Sequence, residues 1–219
     1  EIIWSKNPAN FRDQHLQKTA TDILGLEFKE VRPKIDFTPS ERPMEKKYFC
    51  IANHSTAQSK YWNNPNGWQE VVDYLTSHGY ECMIYSKEGD GYMGNNYPKG
   101  VTVYSGGNLE QVINDLLSCE FFVGLGSGLS WLNWGLGKHT FMINGFAKDG
   151  HEFTTNVTRI FKPNVCINCW NDEVLFFEPG DWDWCPVYKG TSKQHICQKS
   201  ISSEMVIEKI NQFLLSTTS

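Results

Sequence analysis

The chain has 219 residues and a formal net charge of -5, enough length for one large domain or one domain with appendages. No basic run and no repeated aromatic-basic pattern accompanies that acidic balance, which argues against DNA or RNA as a partner and still allows a single phosphate-bearing ligand. No apolar stretch approaches the roughly 20 residues that cross a bilayer, so a soluble chain with no membrane span is expected.

The first periodic segment, 12–24, reads as a helix with Leu16, Ala20, Ile23 and Leu24 on one face and Gly25 as its stop. An extended passage from Glu27 to Thr38 follows, punctuated by Pro33. Tyr48 to Ala52 is a short apolar run of strand type. Trp68 to His78 is an amphipathic helix with Val71, Val72 and Leu75 inward and Gly79 at its C-terminal cap. Cys82–Tyr85 and Val101–Tyr104 are the next strands. Asn108 caps a helix through Leu117, Phe121–Gly124 is a fourth strand, and a glycine-rich turn leads to a helix from about Leu129. Thr140–Ile143 is a fifth strand, and Ser203 opens a terminal helix through Val206, Ile210 and Leu214. Strands that are apolar throughout, alternating with helices, predict an α/β fold: a doubly wound parallel sheet covered on both faces.

Between the fifth strand and the terminal helix lie Cys166, Cys169, Cys185 and Cys197. A close pair followed by two more thiols is a pattern that builds a tetrahedral thiolate metal site, with no open position for substrate. The segment is polar and weakly periodic, so a metal would supply folding free energy that burial does not. A disulfide framework and coincidentally buried thiols are the competing readings. Seven cysteines, an odd number, and no secretory signal speak against disulfides and for a cytoplasmic protein. Cys50, Cys82 and Cys119 read as reduced core thiols. The chain begins at Glu1 rather than Met, so it is either processed or a piece of a longer polypeptide.

In sheets of this kind ligands bind beyond the carboxyl ends of the strands, and three segments fall there. The stretch 53–60 offers Ser55, Thr56, Gln58 and Lys60, hydroxyls and one ammonium suited to a phosphate, or else a plain polar loop. Gly126-Ser127-Gly128 lets backbone approach an anion at a helix N-terminus, although a tight turn needs the same glycines. Glu88 is placed to accept from vicinal ribose hydroxyls, or is a solvated charge. Together the three describe a nucleotide-diphosphate pocket. No nucleophile elbow and no H-E-x-x-H motif is present, and His54 and His139 lack partners legible in the sequence.

The run from Thr56 to Trp68 resembles the donor-binding loop of glycosyltransferase family 9, the heptosyltransferases. Asp181-Trp182-Asp183-Trp184-Cys185-Pro186, with Cys166-Ile167-Asn168-Cys169, is similar to their branch that modifies bacterial autotransporter adhesins. The resemblance spans about residues 16 to 215. It implies the C-terminal, donor-binding half of a GT-B enzyme, Rossmann-like, with 1–40 as interdomain crossing, 41–160 as the sugar-nucleotide domain, 161–200 as the cysteine insertion and 201–219 as the closing helix. It implies a sugar nucleotide such as ADP-heptose, a protein or glycan acceptor, inversion at the anomeric carbon, and a general base on a preceding domain. By the same resemblance Lys60 and its loop meet the diphosphate, Glu88 the ribose, and Gly126 to Gly128 the phosphates. The thiols would hold iron in that branch, and four thiolates equally suit zinc. In the lipopolysaccharide heptosyltransferases an Asp and a His stand where this chain has Gly126 and Trp131. A binding module without catalysis and a metal-bound, oligomeric assembly subunit are the alternatives.

Overall fold

The structure, a computed structural model, describes residues 11–104 and 108–217. Residues 1–10 of the expected crossing segment and 218–219 of the closing helix lie outside the described residues. Six strands, β1 (Tyr48–Ile51), β2 (Glu81–Tyr85), β3 (Thr102–Tyr104), β4 (Phe122–Leu125), β5 (Thr140–Ile143) and β6 (Val157–Ile160), form one parallel sheet in the order β3-β2-β1-β4-β5-β6. The chain winds outward from β1 to β3, then returns to pair β4 against the other side of β1, Cys50 opposite Phe122. That reversal makes the junction of β1 and β4 the topological switch of a doubly wound sheet.

Alternation along each strand sorts the two faces. Phe49, Ile51, Ile84, Phe121 and Val123 pack with Val71, Val72 and Leu75 of α2 (Gly67–Ser77) and with Val206 and Ile210 of α6 (Ser203–Thr217). Tyr48, Cys50, Met83, Tyr85 and Phe122 turn the other way, onto Leu116 of α3 (Leu109–Ser118) and Leu129 and Leu132 of α4 (Gly128–Gly135). Asn108 caps α3 as expected, its Oδ1 accepting from the Glu110 N–H at 2.9 Å. Cys50, Cys82 and Cys119 are buried free thiols, in line with the core role expected for them.

Two elements depart from the sequence reading. The first helix, α1, runs only from Leu16 to Ile23; His15 caps it, its Nδ1 accepting from the Gln17 N–H, and Arg12 lies in a separate 3-10 turn, Phe11–Asp13. The edge strand β6 was not anticipated. Its sequence, Val-Thr-Arg-Ile, is apolar only at its two ends, Val157 packing beside Trp134 and Phe153 and Ile160 joining the cluster on the other face of the sheet, so it shows no apolar run. No helix among the described residues is long and apolar enough to cross a membrane.

Candidate functional site

The switch brings two of the predicted segments side by side. After β1 the chain runs through Asn53 and His54 into a 3-10 turn, Gln58–Lys60; after β4 it passes Gly126 and Ser127 into α4. Ser127, at the head of α4, is extended and makes no side-chain cap, so its hydroxyl and the first N–H groups of α4 stay free for an anion. Within the first segment Ser55 and Ser59 have buried hydroxyls with no hydrogen-bond partner. Thr56 is exposed. Lys60 is half-buried, and burial lowers its pKa against the opposing pull of Glu152.

Gln58 is tied to its neighbours through both side chain and backbone. Its amide donates to Asn63 Oδ1 at 2.6 Å and accepts from Asn95 Nδ2 at 3.1 Å, and its backbone N–H reaches the carbonyl of Trp182 at 2.9 Å. The side chain is consumed in holding the loop to its neighbours. Glu88, beyond β2, is half-buried, and its carbonyl accepts from the Tyr97 hydroxyl at 2.5 Å. His54 gains the partners the sequence did not show: Nδ1 lies 2.6 Å from Ser86 Oγ, Nε2 lies 3.2 Å from the Asn95 carbonyl, and Tyr61, Tyr92 and Tyr97 surround the ring. His139 is equally committed, 2.9 Å from Thr158 Oγ1 and stacked on Phe213. A cavity of about 380 Å³ lies behind the loop, lined by carboxamides such as Asn53 and Asn96 and flanked by Trp62 and Trp68. Of the predicted donor residues it takes in only Gln58.

Three groups at the site carried no sequence signal, because their meaning lies in long-range placement. Glu152, buried beyond β5, is paired with Arg159 of β6 at 2.9 Å and accepts from Asn144 Nδ2 at 2.9 Å. Burial raises its pKa; Arg159 and Lys60 work against that. Arg159 is shared between Glu152 and, at the surface, Asp149, whose Oδ1 lies 4.0 Å from Arg159 Nε.

The insertion is better ordered than its composition suggested. Phe146, Ala147 and Trp184 form a small aromatic core with Cys169, Trp170 and Phe177, and Arg12 donates to the carbonyls of Trp170, Leu175 and Cys169 at 2.6, 2.6 and 2.9 Å. The Sγ atoms of Cys166 and Cys169 are 3.9 Å apart, close to the edge of about 3.8 Å in a tetrahedron with metal–sulfur bonds of about 2.3 Å. Cys185 and Cys197 face that pair: burial first, then neighbouring thiols, push Cys169 and Cys197 up to about 12. Among the described residues no group of three or more His, Cys, Asp or Glu is arranged to hold a metal ion. All four are free thiols, so the disulfide framework is not present.

Comparison with known proteins follows from this geometry. Residues 11–168 match the model of glycosyltransferase family 9 (heptosyltransferase). The chain is 36% identical over 218 residues to the autotransporter heptosyltransferase TibC of Escherichia coli O78:H11, covering 98% of this chain and 53% of TibC. It is 37% identical to the autotransporter heptosyltransferase Aah of Escherichia coli, covering 91% of this chain and 51% of Aah. A crystal structure of TibC, described as a dodecameric iron-containing heptosyltransferase in complex with ADP-D-beta-D-heptose, superposes with a TM-score of 0.87 at 36% identity, over 94% of this chain and 54% of that one. The chain thus spans about half the length of the relatives it matches.

Proposed function

Because the chain belongs to glycosyltransferase family 9, we propose that it is the C-terminal, donor-binding half of an inverting GT-B glycosyltransferase, acting on a nucleotide-diphosphate sugar of the ADP-heptose kind. The observation that carries this reading is the set of unfilled donors at the β1/β4 switch: two buried unpaired serine hydroxyls, the free N-terminus of α4 and the Lys60 ammonium. A diphosphate would supply the acceptors they lack. In transfer, a base deprotonates the acceptor hydroxyl while Lys60 and the α4 terminus stabilise the charge growing on the departing diphosphate. Glu152 does not suit the role of base, since its two oxygens are held by Asn144 and Arg159. By the family resemblance the base belongs to the other half of the enzyme, and the acceptor is a protein or a glycan, as the autotransporter relatives suggest.

Ser55, Thr56 and Lys60 would meet the diphosphate with Gly126, Ser127 and Gly128, while Glu88 would take the ribose and Gln58 would shape the loop. Residues 41–160 would form the donor domain, with 1–40 the crossing, 161–200 the insertion and 201–219 the closing helix. Cys166, Cys169, Cys185 and Cys197 have the donor chemistry to hold one structural metal ion, iron by analogy with TibC, and such an ion would cross-link the insertion. A homo-oligomer fits the same analogy, TibC being described as dodecameric.

Calorimetry with ADP tests the donor site. Lys60→Ala should weaken ADP roughly ten- to a hundredfold, because one charge-assisted contact contributes about 1.5–3 kcal/mol. Its thermal stability should stay near the parent's. Equal affinity in the two proteins would reduce the loop to a surface turn. If ADP binds but the enzyme joined to its N-terminal half transfers no sugar, the non-catalytic binding module replaces the transferase.

A further inference from the structure

The loop that carries Lys60 is tied at both ends to the far end of the insertion. Gln198, on the short helix α5 (Ile196–Lys199), is fully buried although polar. Its Nε2 donates to the carbonyls of Ser59 at 3.2 Å and Lys60 at 3.4 Å, and its Oε1 accepts from the Gly145 N–H at 3.4 Å. Just beyond α5, the Ile201 carbonyl accepts from the Trp62 indole N–H at 2.8 Å and from Asn64 Nδ2 at 3.1 Å. The 3-10 turn closes its own bonds from the Lys60 and Tyr61 N–H groups to Ala57 and Gln58, so the two carbonyls that Gln198 takes are ones the turn does not use itself. A carboxamide suits that task, since its two N–H groups serve two carbonyls and its oxygen serves a third backbone group without adding charge. The turn after β5 lies hard against the same element: a methyl group added at Gly145 would come within 2.7 Å of the Cys197 carbonyl oxygen.

We propose that Gln198 is a positioning residue for the donor diphosphate: its amide joins the Lys60 turn to the turn after β5 and so fixes where Lys60 stands relative to the N-terminus of α4. This rests on the donor-site reading above. In the sheet β4 lies between β1 and β5, so a bridge from the β1 loop to the β5 turn spans the strand that leads into Gly126 and α4. The two segments that would share the phosphates are thereby held in one frame. Without the bridge, the Ser59 and Lys60 carbonyls and the Gly145 N–H lose a buried partner, and the turn shifts to satisfy them elsewhere. A shift of about 1 Å in a charged contact is enough to lose most of its directional strength. Ser59 and Gln198 are 139 positions apart, so the insertion that precedes Gln198 becomes part of the frame of the donor loop.

The test is calorimetric titration of ADP against the full chain, with urea unfolding of the same proteins. It uses the parent, Gln198→Met, Lys60→Ala, the double variant and Gln198→Glu. Gln198→Met keeps the side-chain length but none of its hydrogen bonds, and it should weaken ADP about tenfold. In the Lys60→Ala background the same substitution should change ADP affinity by less than about twofold, because the misplaced turn no longer carries the ammonium. Its effect on the urea midpoint should be the same in both backgrounds, since Lys60→Ala leaves the backbone carbonyls in place; a merely structural residue would leave the two affinity effects additive as well. Gln198→Glu carries the test if Gln198→Met does not fold. Near pH 6 its buried, protonated acid still donates to a carbonyl, and ADP should bind within about threefold of the parent at that pH. Near pH 8 a carboxylate faces two carbonyls, and binding should be about tenfold weaker than the parent's. Unchanged ADP affinity in Gln198→Met, effects that add with Lys60→Ala, or a Gln198→Glu deficit that does not grow with pH would overturn the proposal. If Lys60→Ala weakens ADP while the Gln198 variants do not, only the role of Gln198 fails; if the parent binds no ADP, the donor reading fails and this proposal with it.

Discussion

His151 carries a single proton, and its neighbours decide where. Its Nδ1 meets the Gln14 carbonyl at 2.8 Å, and its Nε2 accepts from the Trp170 indole N–H at 2.8 Å, an arrangement open only to the neutral ring. Burial, with Arg159, His15 and Lys148 nearby, pulls its pKa down to about 4. An unfolded chain takes up that proton near the ordinary 6.5, so between the two values the unfolded state binds more protons and stability falls with falling pH. By about pH 5 the loss should reach about 2 kcal/mol, read as a lower urea midpoint together with a change in tryptophan emission. His151→Gln should flatten that acid limb; an unchanged limb would mean the ring titrates normally. At this scale the sequence was legible where position alone assigns chemistry. Lys60 and the Gly126 turn stand at strand ends because strand boundaries are visible in apolar runs. Glu152 and Gln198 were illegible, since nothing local tells a carboxylate or an amide which distant turn it will meet.

Between elements, the departures share a cause. Helix α1 is shorter than its pattern because Arg12 is drawn away into three carbonyls of the insertion, stacking over Trp170 and Trp184. Periodicity counted Arg12 as a helical residue, while the distant carbonyls outbid the helix. Strand β6 was hidden by the reverse effect, an edge position that makes a strand look like a loop. The continuous apolar strands β1, β4 and β5 were easy to find because both of their faces are buried. The Arg12 clamp gives a prediction of its own. Arg12→Ala leaves three part-buried carbonyls without this donor and should cost about 2 kcal/mol, concentrated in the insertion. Limited proteolysis should then cut within 160–200 while the sheet stays intact; cleavage equal to the parent's would show that the clamp is idle.

Across the whole molecule, the parallel sheet follows from the α/β alternation, but its strand order and the state of the cysteines do not. The thiols gather, yet their closure depends on chemistry outside the chain. Elemental analysis of gently purified protein should find about one iron or zinc per chain, the count for a single four-thiolate site. Removing it with a chelator should loosen the insertion and leave the far-ultraviolet spectrum of the sheet largely intact, because the insertion keeps its aromatic core and Arg12. Protein with no bound metal, stable and well ordered throughout, would return the four cysteines to the role of ordinary buried thiols.

The backbone bond from Gln58 to the Trp182 carbonyl turns one amide into a reporter. Trp182 also rests edge-on against Tyr61 and Tyr92, so the loop and the insertion share a seam. When the insertion opens, the Gln58 amide is the one in the loop that loses its partner. Its deuterium uptake should therefore track the breathing of a segment more than a hundred positions away along the chain, on the timescale of local unfolding. The neighbouring Lys60 amide, bonded within its own turn to Ala57, supplies the internal reference that should stay slow.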